Sequence, residues 1–120
     1  MFVRILNLKV IIMYWKEIPV QVQATDDSET QSLQLEPRFQ EAVDAVSMME
    51  GSYGSDEYLD AWEWGEYTEI QGELSEVLKL VADRYNKGMP RDFVSKLRDL
   101  HRDGSRKTRP GSIDGWIKSD

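Results

Sequence analysis

Few side chains in this sequence have both the type and the neighbours for bond-making chemistry. His101 is the only histidine. It follows Leu100 near the end of an amphipathic stretch, where a protonated ring favours the last helical carbonyls. A nucleophilic triad needs a serine and an acid oriented around such a ring. No G-x-S-x-G occurs, and Ser52 and Ser55 lie in a glycine turn, GSYGS. The chain has no cysteine, which excludes disulfides, thiolate nucleophiles, iron–sulfur ligation and cysteine zinc sites. Residues 36–76 carry twelve acids against one base, Arg38. They lack the D-x-[DN]-x-[DN]-G spacing of a calcium loop. They are also too numerous for one acid/base pair to stand out as in a glycosidase. The glycines at 51, 54 and 111 make no phosphate-binding fingerprint. No catalytic residue, metal ligand or cofactor is therefore assigned.

What remains is recognition chemistry, built on uneven charge. The acidic middle is followed by residues 91–109, with seven bases against three acids. Two halves of opposite sign neutralise each other across a fold, or one of them meets a charged partner and speeds and orients docking. Arg91, Arg98 and Arg102 recur at helical spacing, opposite Phe93, Leu97 and Leu100. Arg106, Lys107 and Arg109 continue the charge, so residues 91–109 are a candidate grip for phosphates or nucleic acid. No aromatic stacking platform accompanies them, and the net charge of −7 repels a polyanion, so nucleic acid is not the expected partner. The second candidate is the acidic-aromatic run GSDEYLDAWEWGEY. Trp62 and Trp64, with Glu63 and Tyr67, either form a core plate beneath the helices or leave at least one ring free to anchor a partner. A small-ligand or enzyme site around Trp62 and Trp64 is a further alternative, and it requires a concave pocket there.

These residues need elements to hold them. Residues 14–24 alternate apolar and polar, with Ile18, Val20, Val22 and Ala24 on one side, as a half-wet strand does. Pro19 lacks a donor, so that strand is expected at a sheet edge or to begin near the proline. TDDSETQSL reads as a polar loop. A helix follows with Pro37 in its first turn and Phe39, Ala42, Val43, Val46 and Met49 on its apolar stripe, ending at Gly51. Ser55 caps a short helical turn through Leu59. Residues 62–70 read as extended. A helix over 73–87 carries Leu74, Val77, Leu78, Val81 and Tyr85, with acids at its start and Lys87 at its end. A third helix starts at Pro90 and precedes Gly104. Ile113, Trp116 and Ile117 close the basic, proline-broken tail.

A chain of 120 residues has the size of one domain. An apolar fraction of 40% and a charged fraction of 31% match a globular protein rather than a disordered one. Residues 1–12 are apolar but interrupted by Arg4 and Lys9, with no A-x-A-like cleavage site, and they fall short of the ~20 residues of a membrane span. They read as an N-terminal extension or an extra strand. Residues 13–120 read as a single α+β domain with a basic C-terminal tail. The expected architecture is a small two-layer sandwich, three amphipathic helices packed on a small sheet. A strand–helix–strand unit within it is a candidate parallel pair.

Four segments together resemble the small "virulence factor" domain family: MYWKEIPVQVQA at 13–24, EPRFQEAVDAVSMMEGSYGSDEYLDAWEWGEY at 36–67, FVSKLRDLHRDG at 93–104 and RPGSIDGW at 109–116. The resemblance implies a bacterial, cytoplasmic accessory domain of a kind joined elsewhere to HEAT-like repeats and to a domain like the N-terminal part of iron–sulfur scaffold proteins. It implies no activity and carries over no catalytic residues. With no cysteine, the chain itself cannot hold a cluster. The expected function is that of a non-enzymatic accessory domain. It docks a partner protein through Trp62, Glu63, Trp64 and Tyr67, through Arg91, Arg98 and Arg102, or through both, with self-association as a further candidate.

Overall fold

The structure is a computed structural model that describes residues 6–118, Leu6 by its backbone alone. The expectations for residues 1–5 lie outside the described residues. Strand β1 (Leu6–Trp15) turns directly into β2 (Ile18–Thr25), and β3 (Thr30–Gln34) follows. Helices α1 (Pro37–Glu50) and α2 (Asp56–Asp60) lead to short strands β4 (Trp62–Trp64) and β5 (Thr68–Gly72). Helices α3 (Leu74–Gly88) and α4 (Phe93–Asp103) and a 3₁₀ turn, Asp114–Trp116, complete the chain. The fold is α+β.

The sheet order is β3-β2-β1-β4, and β5 pairs with the other half of β1. β4 and β5 thus form one outer strand, broken at residues 65–67. Every pairing is antiparallel. The candidate parallel pair of residues 14–24 with 62–70 does not form, because β1 lies between β2 and β4 and pairs antiparallel with both.

Alternation along β1 decides the layers. Leu8, Val10, Ile12 and Tyr14 are buried, whereas Asn7 and Lys9 are exposed and Ile11 and Met13 half-buried. An antiparallel sheet with one covered and one wet face gives this pattern. α3 covers the apolar face, where Tyr14 meets Tyr85. Phe39 of α1 packs on Phe93 of α4, ring centroids 5.5 Å apart.

Residues 14–24 are not one strand. Tyr14 and Trp15 close β1, and Lys16-Glu17 make a two-residue hairpin turn. β2 begins near Pro19 as expected, but it lies inside the sheet. The ladder tolerates the missing donor because the register shifts there, Met13 facing Gln21 and Tyr14 facing Pro19. The expected polar loop forms β3 in its second half, since an edge strand with one neighbour needs little apolar side chain. Thr30, Ser32, Leu33 and Gln34 are all exposed.

Helix ends follow local chemistry. Gly51 and Gly104 sit at φ 80° after α1 and α4, the left-handed conformation that glycine holds most easily. Ser55 accepts from the Tyr58 N–H and starts α2. Glu73 accepts from the Ser75 and Glu76 N–H groups and starts α3. The third helix begins at Phe93 rather than Pro90, whose carbonyl accepts from the Phe93 N–H in the preceding turn. Arg38 donates to the Asn86, Met89 and Pro90 carbonyls. It thereby ties α1 to the end of α3, where the helix dipole favours a cation.

The hairpin tip is the most constrained place. Lys16 has a φ of 50°, uncommon without glycine or asparagine. Its Nζ donates to Glu50 at 2.7 Å and Glu57 at 3.0 Å, and its N–H donates to the Ala61 carbonyl. Glu17 is fully buried and receives a two-pronged grip from Arg106 at 2.7 and 2.8 Å. The remaining prong of Arg106 reaches Glu50 at 2.7 Å. Removing one member of a buried ion cluster strands the other charge, at a cost of about 3–5 kcal/mol. Arg106→Ala is expected to lower unfolding stability by about that much in urea titration, and Arg106→Met with Glu17→Leu by clearly less. Equal losses for the two would show that the charges are not what matters.

Candidate functional site

Three elements distant in sequence meet at one carboxylate. β1 points Tyr14 at the helix layer by its even register. α3 presents Tyr85 from its apolar stripe. The 3₁₀ turn begins with Asp114, whose N–H donates to the Gly111 carbonyl. The Tyr14 hydroxyl donates to Asp114 Oδ2 at 2.6 Å and the Tyr85 hydroxyl to the same oxygen at 2.8 Å. The other oxygen, Oδ1, is shielded from solvent and has no donor among the described residues.

Burial first, then Tyr85 and Asp114 beside it, pushes the Tyr14 hydroxyl far above the usual tyrosine range. Burial, reinforced by the Asp114 charge, pushes Tyr85 up to about 12. Both phenols therefore stay protonated donors, not bases.

Two clefts flank this cluster. One, of about 520 Å³, opens between the β4–β5 break (Glu63, Trp64, Gly65, Glu66) and Arg109, Pro110 and Gly111, with Tyr14 and Asp114 within it. The other, of about 240 Å³, lies between β1, β5 and α3, lined by Ile12, Ile70, Val81 and Arg84 among others. Tyr14, Glu66 and Asp114 line both. Gly65 forms the break because its N–H donates to the Ile12 carbonyl at 2.9 Å while its backbone lies on the Tyr14 ring. A Cβ there would stand 2.7 Å from Tyr14 Cε2.

The residues singled out from sequence fall into two sets that share no hydrogen bond, ion pair or ring contact among the described residues. Trp62 is half-buried and packs against the core, 6.4 Å from Tyr58 in an edge-on pair. Trp64, 41% exposed, is no core plate. It pairs with Met13 at the sheet's outer edge. Glu63 and Tyr67 are exposed, and Lys9 stands 5.1 Å above the Tyr67 ring. Arg91, Arg98 and Arg102 are exposed, Arg91 before α4 and the other two on it. Arg106 does not belong with them, since Glu17 and Glu50 consume it. His101 is exposed in the last turn of α4, its Nδ1 3.5 Å from Arg106, and among the described residues no serine or carboxylate hydrogen-bonds to it. Among the described residues no three His, Asp or Glu side chains converge as a metal site requires, and no helix is long and apolar enough to cross a membrane.

The Tyr14–Tyr85–Asp114 cluster was missed from sequence. Each tyrosine sits at an apolar position of its element, so nothing local distinguishes a hydroxyl with a partner from plain core.

The chain belongs to the Virulence factor family, which it matches over residues 13–97. The match ends inside α4, so Arg106, the Arg109–Gly111 wall and Asp114 lie beyond it. No curated protein and no solved structure matches the chain.

Stability must depend on pH in two windows. Burial opposes ionisation of Glu50, but hydrogen bonds from Lys16, Ser52 and Arg106 outweigh it and hold the carboxyl below its usual range. Its contribution is present above the unfolded value, about 4.3, and is lost as pH falls. Tyr14 and Tyr85 are raised, so theirs is present below about pH 10, the unfolded tyrosine value, and is lost as pH climbs through the folded values. The urea midpoint is expected to be flat between about pH 6 and 9 and to drop on both sides. The alkaline drop should shrink in Tyr85→Phe, with tyrosinate absorbance rising alongside unfolding in the parent. An unchanged alkaline limb in that variant would contradict the assignment.

Proposed function

We propose that the protein is a non-enzymatic accessory domain that holds a partner protein through its acidic-aromatic edge. The supporting observation is a cluster of rings, Tyr53, Tyr58, Trp15 and Trp62, with exposed Trp64 and Tyr67 further along the outer edge. Tyr53 packs edge-on against Tyr58 at 5.7 Å, and Tyr58 contacts Trp15 and Trp62. Trp64 lies two residues from Trp62 on β4, and Lys9 stands over the Tyr67 ring. Tyr53 is 56%, Leu59 66%, Trp64 41% and Tyr67 55% exposed. Exposed rings carry most of the energy at protein interfaces, and the acids between them orient a basic partner.

Phosphate or nucleic-acid binding through residues 91–109 is the weaker reading, because Arg106 is buried in ion pairs. A partner held by these rings should copurify at one-to-one stoichiometry with the parent chain. It should be lost, by about tenfold or more in affinity, from Trp64→Ser with Tyr67→Ser, at an unchanged melting temperature. Equal retention by that variant would refute the rings as the docking surface. Retention lost only in Arg98→Ala with Arg102→Ala would move the function to α4.

A further inference from the structure

The outer edge of β3 carries backbone that no strand of the sheet uses. The Leu35 N–H donates to the Val20 carbonyl at 2.9 Å, and the register sets Leu33 against Val22 and Gln31 against Ala24. Bonded pairs alternate along an antiparallel ladder, so Gln31 and Leu33 bond inward to β2. Thr30, Ser32 and Gln34 therefore point their N–H and C=O groups outward. Side chains confirm this phase, because the pairs without backbone bonds bring side chains closer. The Thr25 and Thr30 hydroxyls meet at 2.9 Å, and Gln34 donates to Gln21 at 3.1 Å.

Proteins commonly blunt an open edge with charge, proline or a bulge. The opposite edge of this sheet is broken at residues 65–67 and exposes Glu63 and Glu69. β3 has no such device. Its sequence, TQSLQ, is uncharged and free of proline, and its pairing with β2 runs without a register shift. Thr30, Ser32, Leu33 and Gln34 are exposed. Leu33 stands beside buried Val22 at the rim of the apolar face, 37% exposed. Charge around the strand is one-sided. Asp27 and Glu29 are exposed just before it and form no ion pair among the described residues, whereas Glu36 just after it lies 3.4 Å from Arg38.

We propose that β3 receives an extended segment of a partner protein as a further antiparallel strand, apolar on one face and with Lys or Arg at its C-terminal end. Main-chain bonds to Thr30, Ser32 and Gln34 supply the affinity, as in other cases of strand addition. The segment's apolar residues lie opposite Gln31 and Leu33 and cover the Leu33 side chain. Antiparallel pairing, slightly the more stable, sets the segment's C-terminal end beside Asp27 and Glu29, where a cation is favoured. A second copy of this chain fits less well, since pairing about Ser32 would bring together two chains of net charge −7. The site lies across the sheet from the ring cluster and does not rest on the docking reading above.

The probe is the blocked peptide Thr-Val-Thr-Val-Thr-Lys-Lys, added to the full chain and followed by amide hydrogen exchange in NMR. In the free chain the Gln31 and Leu33 amides should be protected, and those of Thr30, Ser32 and Gln34 should exchange freely. The peptide should protect these three. Methylating the amide nitrogen of its central Thr, which faces Ser32, should weaken binding about tenfold or more. Methylating a Val nitrogen, which points away from β3, should not. Moving both lysines to the N-terminal end should weaken binding, and Asp27→Asn with Glu29→Gln should abolish that preference at an unchanged melting temperature.

No new protection at a large peptide excess, equal binding of the centrally methylated peptide, or tighter binding with N-terminal lysines would each overturn the proposal. Protection of the same three amides that grows with concentration of the chain alone would make a second copy the occupant and overturn it as well. Trp64→Ser with Tyr67→Ser should bind the peptide as the parent does. Loss of binding in that variant would move the peptide to the ring edge and refute the β3 site, whereas loss of partner capture alone leaves the two surfaces separate, as expected here.

Discussion

The buried grip of Arg106 on Glu17 and Glu50 is the contact on which the remaining geometry hangs. It joins the β1–β2 tip, the end of α1 and the chain beyond α4 in one place, with side chains 0–8% exposed. Burying these charges brings little net stability compared with an apolar substitute. Its effect is positional. Arg106 Nε and Nη2 donate to both Glu17 oxygens at once, which anchors the chain past Gly104 to the hairpin tip. Lys16 can then hold a left-handed backbone that an unrestrained lysine would leave, because its amide and its ammonium are both engaged. Between the acidic and basic stretches, Arg106–Glu50 is the one ion pair among the described residues.

From that anchor the C-terminal segment runs to Gly111, at φ 86°, and the 3₁₀ turn, where Asp114 is caught by two buried tyrosines. Ile113 is buried beside it. Gly88 lets this end of the chain lie close, since a Cβ there would stand 2.5 Å from Ile117. The clefts are by-products of this path. The outer strand breaks at Gly65 to pass over the Tyr14 ring, and the returning segment cannot fill the gap. Acids on the strand and a base on the segment thus face an opening with no ion pair among the described residues.

Local readings succeeded where one element's own periodicity carries the information. The stripes of α1 and α3, the stop at Gly51 and the serine start of α2 depend on neighbours within a turn or so. Readings that depend on what lies across the sheet fared worse. Alternation over residues 14–24 continues through a hairpin because the turn is only two residues long and the bulge restores phase on its far side. TQSLQ carries no strand signal of its own and is a strand because β2 offers it a ladder. Trp64 and Trp62 share a face as expected, yet only Trp62 meets the core, where Tyr58 of α2 packs on it.

Composition and spacing alone determined that the chain has no thiol chemistry, that its helices are amphipathic, and that its acids and bases occupy separate stretches. All of these are properties of residues near one another along the chain. Tertiary structure decided which charges are spent and which remain free, and which tyrosines are structural. Arg106 meets Glu17 across 89 residues and Tyr14 meets Asp114 across 100. Periodicity reports only on neighbours a few residues away. Such encounters are settled by the order in which strands pair and the direction in which the last segment returns.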